Sequence, residues 1–137
     1  MSLTDIPLMG ALKSRMGWHS DRQKIVAENV ANASTPGYKP HDLSPQDFEA
    51  LVRGDTPQGN LGLTMTNTQH MAPQTPFSPG AKVVLSPDSE TTMDGNSVVL
   101  EEQMLRMAES RMQFQAAVGF YEKSMAMMRM AVKVPGK

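Results

Sequence analysis

Cysteine is absent from the 137 residues of the chain. Disulfide frameworks, thiolate metal sites, iron–sulfur clusters and cysteine nucleophiles are therefore excluded. Long hydrophobic runs are absent as well, because the most apolar windows are interrupted by Arg106, Arg111 and Arg129. None of these windows approaches the roughly 20 apolar residues that a membrane-spanning helix needs, and we expect no membrane insertion.

The chain also lacks an excess of charge of either sign, since 13 Lys and Arg stand against 14 Asp and Glu, a net charge of −1. Such a chain has no electrostatic bias toward polyanions, and we expect no nucleic-acid partner. The N-terminus lacks the pattern of a cleaved secretory signal, because Asp5 precedes any lysine and the short apolar stretch is interrupted by Pro7 and Gly10. If the chain leaves the cytoplasm, we expect it to do so without a cleaved signal peptide.

Residue patterns that carry chemistry are missing too. His19, His41 and His70 stand in separate segments, without the close spacing of a metal site. The sequence has no phosphate-binding glycine loop, dinucleotide fingerprint or nucleophile elbow. Glu101 and Glu102 point about 100° apart on a helix, which favours a role at the helix dipole over paired acid–base chemistry. We predict that the chain is not an enzyme and has no metal site and no cofactor.

Proline, by contrast, is concentrated in one region. Eight of the ten prolines lie between Pro36 and Pro87. Because proline interrupts helices, this distribution predicts helices at the two ends. The chain divides into an N-terminal helix, an irregular middle and a C-terminal helix, over residues 1 to 35, 36 to 96 and 97 to 137.

The N-terminal helix is predicted to begin near Thr4 or Asp5 and to end near Ala33. Its inward row recurs at steps of three and four residues, with polar residues near its centre: Met9, Leu12, Met16, His19, Gln23, Val26, Val30 and Ala33. Gly10 and Gly17 each cost about 1 kcal/mol relative to alanine in a helix interior. The segment therefore needs a packing partner to become fully helical.

The C-terminal helix has the longest periodic pattern and is predicted over residues 98 to 133, about 54 Å at 1.5 Å per residue. Asn96 or Ser97 is the expected N-cap. One row recurs at steps of three and four residues: Leu100, Met104, Met107, Arg111, Phe114, Val118, Tyr121, Met125, Met128 and Val132. A second apolar row lies beside it: Leu105, Met112, Ala116 and Gly119. So long a helix cannot bury these rows against itself, and we expect more than one neighbouring helix.

Short elements are predicted in the middle segment. Ser44 and Pro45 predict the start of a short helix that ends at Gly54. Residues 61 to 65 and 81 to 85 are predicted to form short strands. Residues 67 to 80 are predicted to form a loop.

Together these patterns predict a mainly α fold, in which the long terminal helices pack as an antiparallel, coiled-coil-like pair beside an irregular middle. The N-terminal helix is expected to face the C-terminal row through Met9, Leu12, Val26 and Val30. The predicted assembly interface comprises apolar residues of both helices: Met9, Leu12, Met16, Val26, Val30, Leu100, Met104, Met107, Phe114, Val118, Tyr121, Met125 and Met128.

A distinctive turn follows the N-terminal helix. The run from Asn29 to Lys39 reads NVANASTPGYK and resembles the ANxxTPGY signature of the flagellar axial proteins, the family of rod, hook and hook-associated proteins. Pro36 forbids continuation of the helix, and Gly37 permits a turn with positive φ. The matching positions are Asn29, Ala31, Asn32, Thr35, Pro36, Gly37 and Tyr38.

Within that family the chain is most similar to the short proximal rod type, whose C-terminal helix opens with the turn found here at Asp94, Gly95 and Asn96. The resemblance covers residues 5 to 53 and 94 to 133. It implies an oligomeric structural subunit of the flagellar basal-body rod, part of the drive shaft and required for motility. It also implies passage through the flagellar export apparatus into the periplasm. Expected neighbours are other rod subunits, the basal rod adaptor protein and the membrane-ring protein.

A second interpretation stays open. Seven of the thirteen methionines lie between Met104 and Met130, and methionine-rich surfaces adapt to varied peptide partners. On this interpretation the chain is a free-standing helical binding module or export chaperone with a Met-rich groove. Such a protein forms a closed monomeric bundle, whereas a rod subunit is expected to complete its helices on assembly.

Overall fold

The computed structural model of the chain describes residues 7–54 and 81–132. The elements within these ranges are α1 (Pro7–Ala31), β1 (His41–Leu43), α2 (Phe48–Arg53), β2 (Val83–Leu85) and α3 (Leu100–Val132). The predicted mainly α fold with two long terminal helices is confirmed. No helix in the described ranges is long and apolar enough to cross a membrane. The predicted N-cap at Thr4 or Asp5, the strand at 61 to 65 and the loop at 67 to 80 lie outside the described residues.

The two long helices run antiparallel and pack along their length. The Arg15 guanidinium donates to the Gln113 side chain at 3.4 Å, and one turn further along α1 the Ser110 hydroxyl donates to the His19 carbonyl at 3.1 Å. At 1.5 Å per residue, α3 is about 50 Å long and α1 about 38 Å. Because residue numbers fall on one helix as they rise on the other, this register brings the start of α1 near Tyr121. The last three turns of α3 therefore extend beyond the described part of α1.

The buried faces of the two helices differ in composition. The buried residues of α3 are Gln103, Ser110 and Ala117, which recur at seven-residue steps and so lie on one line of the helix. The small side chains of Ser110 and Ala117 allow the α1 backbone to come close. Most of the apolar core comes from α1, through Met9, Ala11, Leu12, Ile25 and Val26.

The predicted packing face is displaced by one residue on each helix at the end of the pair where α1 stops and α3 starts. Val30 is 38% exposed, and the neighbouring Asn29 is fully buried in its place. Met104 is 69% exposed, and the neighbouring Gln103 is fully buried. The expected row that begins at Leu100 therefore lies beside the buried line of α3. The cause is that two amide side chains bond to each other at the interface, and apolar periodicity does not register such pairs.

The middle segment adds a small sheet and a short helix. β1 and β2 pair antiparallel, with His41 opposite Leu85, and β2 falls within the predicted strand at 81 to 85. The N-cap of α2 is Asp47, whose side chain accepts from the amides of Glu49 and Ala50 at 3.0 and 3.1 Å. The helix start predicted at Ser44 and Pro45 is wrong, because α2 begins at Phe48. The Ser44 amide bonds to the Lys82 carbonyl beside the sheet, and the Ser44 carbonyl accepts from the Trp18 indole.

The predicted helix ends shift slightly. α1 ends at Ala31, two residues before the predicted end, because the chain enters a turn at Asn32. The α2 end at Gly54 is confirmed, with φ of 85° at that glycine. α3 begins at Leu100, two residues after the predicted start.

An ion pair joins α1 to the sheet and provides a test of the fold. The Arg22 guanidinium donates two bonds to the Asp42 carboxylate, at 2.9 and 2.8 Å, and both side chains are about 85% buried. Arg22→Met leaves a buried carboxylate without its partner, and we expect it to lower the free energy of unfolding by about 3 kcal/mol in urea titration. The control is Arg53→Met, whose partner Glu49 is exposed, with an expected loss under about 0.5 kcal/mol. Equal losses for the two variants contradict this account.

Candidate assembly site

The signature turn and the start of α3 meet in a polar cluster, which we call the junction. Asn29 stands in the last turn of α1 and is fully buried. Its amide group donates to the Gln103 side chain at 2.9 Å and to the His41 carbonyl at 2.7 Å. Its side-chain oxygen accepts from the His41 amide at 3.0 Å and from the Tyr38 hydroxyl at 3.2 Å. Asn29 therefore ties α1 to α3, to β1 and to the turn at once.

Asp88 continues the junction on the other side of Gln103. Its carboxylate accepts from the Gln103 amide group at 3.1 and 2.8 Å and from the Val99 backbone amide at 2.8 Å. Arg106 forms an ion pair with it at 2.8 Å. The first amides of a helix have no intrahelical acceptor, so Asp88 serves as a distant cap of α3. The Asn96 side chain accepts from the Val98 amide at 2.8 Å. Because α3 begins at Leu100, the N-cap predicted at Asn96 or Ser97 lies before the helix start.

Asn96 also binds the turn that follows α1, from a distant part of the sequence. Its amide group donates to three backbone carbonyls, those of Asn32 and Ala33 at 3.0 Å and that of Thr35 at 2.8 Å. One nearly buried side chain thus joins the turn that follows α1 to the residues that precede α3.

Two glycines lie back to back in the junction. Gly37 has φ of 72° and Gly95 has φ of 84°, backbone conformations that residues with a Cβ atom rarely adopt. The positive φ predicted at Gly37 is confirmed. A Cβ on Gly95 would lie 3.4 Å from the Gly37 Cα, and the Gly37 amide donates to the Asp94 carbonyl at 2.9 Å. The turns of the two sequence motifs therefore form one unit in space.

The side chains of the remaining signature residues lie outside the junction, although the Asn32 and Thr35 carbonyls accept from Asn96. Asn32 donates to the Glu28 carbonyl at 2.8 Å, and the Thr35 hydroxyl donates to the Asn32 side chain at 3.2 Å. Ala31 and Pro36 are exposed. Sequence reasoning missed Asp88 and Gln103, although a glutamine inside an apolar helix pattern is a usable signal of a buried polar contact.

The predicted assembly residues divide into three groups. Their part in assembly stays a prediction, because one chain displays only their exposure. Buried against α3 or the middle segment are Met9, Leu12 and Val26. More than a third exposed are Val30, Leu100 and Met104. Half-buried are Met16, Met107, Phe114, Val118, Tyr121, Met125 and Met128.

His19 lies buried in the middle of the α1–α3 interface. Its Nδ1 is 3.4 Å from the Ser110 hydroxyl, and its Nε2 has no hydrogen-bond partner within the described ranges. Burial and the positive charges of Arg15 and Arg22 lower its pKa to about 4, against a smaller opposing effect of Glu109. The imidazole is therefore neutral at pH 7.

Two grooves of the described surface are lined without methionine. The larger one, of about 220 Å³, lies where α1, α2 and α3 meet and is lined by Leu12, Arg15, Phe48, Gln113, Ala116, Ala117 and Phe120. The second is lined by Arg15, Trp18, His19, Pro45, Gln46 and Gln113. These residues do not form the Met-rich groove that a peptide-binding module or chaperone requires.

The bonds from Asn96 to three carbonyls predict that an isosteric substitution there lowers the stability of the chain strongly. Asn96→Asp replaces a donor by a carboxylate that faces three carbonyl oxygens, and we expect the free energy of unfolding to fall by about 3 kcal/mol or more. Asn32→Ala, which removes two exposed bonds, is the control, with an expected loss under about 1 kcal/mol. A loss for Asn96→Asp no larger than that of the control contradicts the role of Asn96.

The lowered pKa of His19 predicts a pH dependence of stability. The unfolded chain binds this proton near pH 6.5 and the folded chain only near pH 4, so stability is full above pH 6.5 and falls as the pH drops from 6.5 to 4. The difference in free energy of unfolding between wild type and His19→Gln, measured across this range, is expected to follow that slope. Parallel curves for the two chains contradict the assignment.

The chain is similar to flagellar basal body rod proteins of several bacteria. The family model described as flagella basal body rod protein matches residues 10–39, which span most of α1 and the signature turn. The flagellar basal body rod protein FlgB of Agrobacterium fabrum is 34% identical over 135 residues, covering 96% of this chain and 97% of the relative. FlgB of Proteus mirabilis is 35% identical, covering 84% and 85%, and FlgB of Salmonella typhimurium is 32% identical, covering 70% and 71%. The chain belongs to this family of flagellar basal body rod proteins, and it is a structural subunit of the proximal rod.

Proposed function

We propose that the chain polymerises through its two terminal helices to form part of the drive shaft. The flagellar export apparatus delivers it to the periplasm without cleavage of a signal peptide. Its neighbours there are other rod subunits, the basal rod adaptor protein and the membrane-ring protein. Support for these specific partners comes from the resemblance to axial proteins and from the surface of α3.

The observation that carries the proposal is the apolar surface of α3. Large side chains along this helix are 46% to 71% exposed: Leu100, Met104, Leu105, Met112, Phe120, Met127, Met130 and Val132. Single exposed apolar residues are ordinary on soluble proteins, but eight large ones along about 50 Å of one helix favour an interaction surface. Neighbouring subunits supply the missing cover.

The unequal helix lengths support the same conclusion. The turns of α3 after Tyr121 carry Met125, Met127, Met128 and Met130, and they extend past the described part of α1. Methionine side chains are flexible and polarizable, so they adapt to neighbours that differ in sequence. A rod subunit that meets several kinds of protein needs contacts of this sort.

The polymer follows from the type of contact. A contact between two different surfaces of the same chain leaves one of each surface free at every step, and it generates a helical filament when the rotation does not close. The antiparallel pair of α1 and α3 presents two such outer faces. The junction holds these faces in a fixed relation.

A matched pair of methionine substitutions tests the proposal. Met104→Glu introduces a charge into the exposed α3 surface, and we expect it to abolish motility in a strain that lacks the native copy. The isolated chain is expected to keep its free energy of unfolding within about 0.5 kcal/mol, because Met104 is exposed there. Met93→Glu, at a fully exposed loop position, is the control and is expected to retain motility. Full motility of the Met104→Glu strain with normal export contradicts polymerisation through this helix.

A further inference from the structure

Methionine is the only sulfur-containing residue of the chain, because cysteine is absent. Oxidants such as peroxides attack the sulfur of cysteine and methionine, so in this chain the methionine thioethers are the targets. Seven of the thirteen methionines lie on α3. The chain therefore concentrates its oxidisable side chains on the helix that carries the exposed apolar surface.

The described methionines differ in their access to solvent. Four on α3 are more than half exposed: Met104, Met112, Met127 and Met130. Met9, on the buried face of α1, is only 3% exposed. Because a dissolved oxidant must reach the sulfur atom, the four α3 methionines are open to oxidation in the single chain and Met9 is protected.

Oxidation changes the polarity of these side chains. A lone pair of the thioether attacks one oxygen of hydrogen peroxide, so that an S–O bond forms and the O–O bond breaks. The sulfur loses two electrons and becomes a sulfoxide, while the second peroxide oxygen takes both protons and leaves as water. The sulfoxide oxygen is a hydrogen-bond acceptor, and apolar cover over it leaves it without a donor. An oxidised α3 is therefore a poor partner for an apolar neighbour.

We propose that hydrogen peroxide oxidises the exposed α3 methionines of a subunit before it assembles, and that the sulfoxides prevent its incorporation into the rod. This inference rests on the proposed function and adds a redox control to the same surface. In an assembled rod the neighbouring subunits cover these residues, so oxidation acts on subunits that are still single.

Peroxide footprinting read by peptide mass spectrometry measures access to each sulfur. In the isolated folded chain, Met104 and Met112 are expected to oxidise about tenfold faster than Met9, and in urea the three rates converge. Equal rates for Met9 and Met104 in the folded chain overturn the inference. In isolated rods the oxidation of Met104 is expected to fall about tenfold relative to Met93, a fully exposed loop residue. Unchanged oxidation of Met104 in rods overturns the proposed function and this inference together.

A leucine variant separates oxidation of this surface from the other effects of peroxide in cells. Leucine is apolar, close to methionine in volume and free of sulfur. The four exposed α3 methionines are changed to leucine together, and Met93→Leu is the matched control. Each chain is produced in a strain lacking the native copy, and a sublethal dose of hydrogen peroxide is present while rods assemble. Rod number is expected to fall about fivefold in wild-type and Met93→Leu cells relative to the four-residue leucine variant. Equal loss in all strains, or no loss in wild type, overturns the inference and leaves the proposed function standing.

A glutamine variant provides a test without peroxide. Glutamine is polar and about as long as methionine sulfoxide, so the same four positions changed to glutamine imitate the oxidised surface. The isolated variant is expected to keep its thermal midpoint within about 3 °C, because these positions are exposed. Its rod number is expected to fall about fivefold relative to the leucine variant. Equal rod numbers for the glutamine and leucine variants overturn the inference, whether or not leucine itself lowers assembly.

Discussion

The structure depends on the need to satisfy backbone groups where two long helices end and begin side by side. At the junction, carbonyls of the turn that follows α1 and amides of the two residues that precede α3 lie together and bond to side chains. Asn96 supplies donors to the carbonyls of three residues and accepts from Val98, while Asp88 accepts from Val99. Removing these side chains leaves several buried polar groups unpaired, and this cost fixes the geometry of the helix pair.

The helix pair is otherwise held by modest contacts, which leaves much of α3 available to other molecules. The buried line of α3 is narrow and consists of Gln103, Ser110 and Ala117. Its large apolar residues stand on the remaining faces and are exposed in the single chain. In a subunit of this kind, the junction fixes the direction of the helix pair, and exposed apolar side chains lie along the length of α3. Both properties suit a rod that is assembled from repeated subunits.

The sequence was sufficient to predict the two long helices, the turn after α1 and the family. These predictions used local signals: helical periodicity, the confinement of proline to the middle and the Pro36-Gly37 pair. Such signals act through neighbouring residues, so they do not depend on the tertiary structure. The positive φ of Gly37 followed from that pair. The middle segment was harder, because β1 is only three residues long and the cap of α2 depends on how Ser44 is used elsewhere.

The polar packing of the helices was not predictable from periodicity. Asn29 and Gln103 each replace an apolar neighbour at the interface because they bond to each other over 74 residues of sequence. Asp88 acts as a cap from eleven residues before Val99. Such contacts are set by tertiary structure, and only the presence of amides within apolar rows pointed to them.

Hydrogen exchange in the isolated chain, measured residue by residue by NMR, tests most directly whether the junction and the helix pair form one unit. The informative amides are those of Gly37, Ser97 and Val99 in the junction and those of Ile25 and Val26 in α1. The account predicts that the two sets open with the same free energy, within about 1 kcal/mol, and lose protection together in Asn96→Asp. Junction amides that exchange as fast as free loop amides while Ile25 and Val26 stay protected would contradict it.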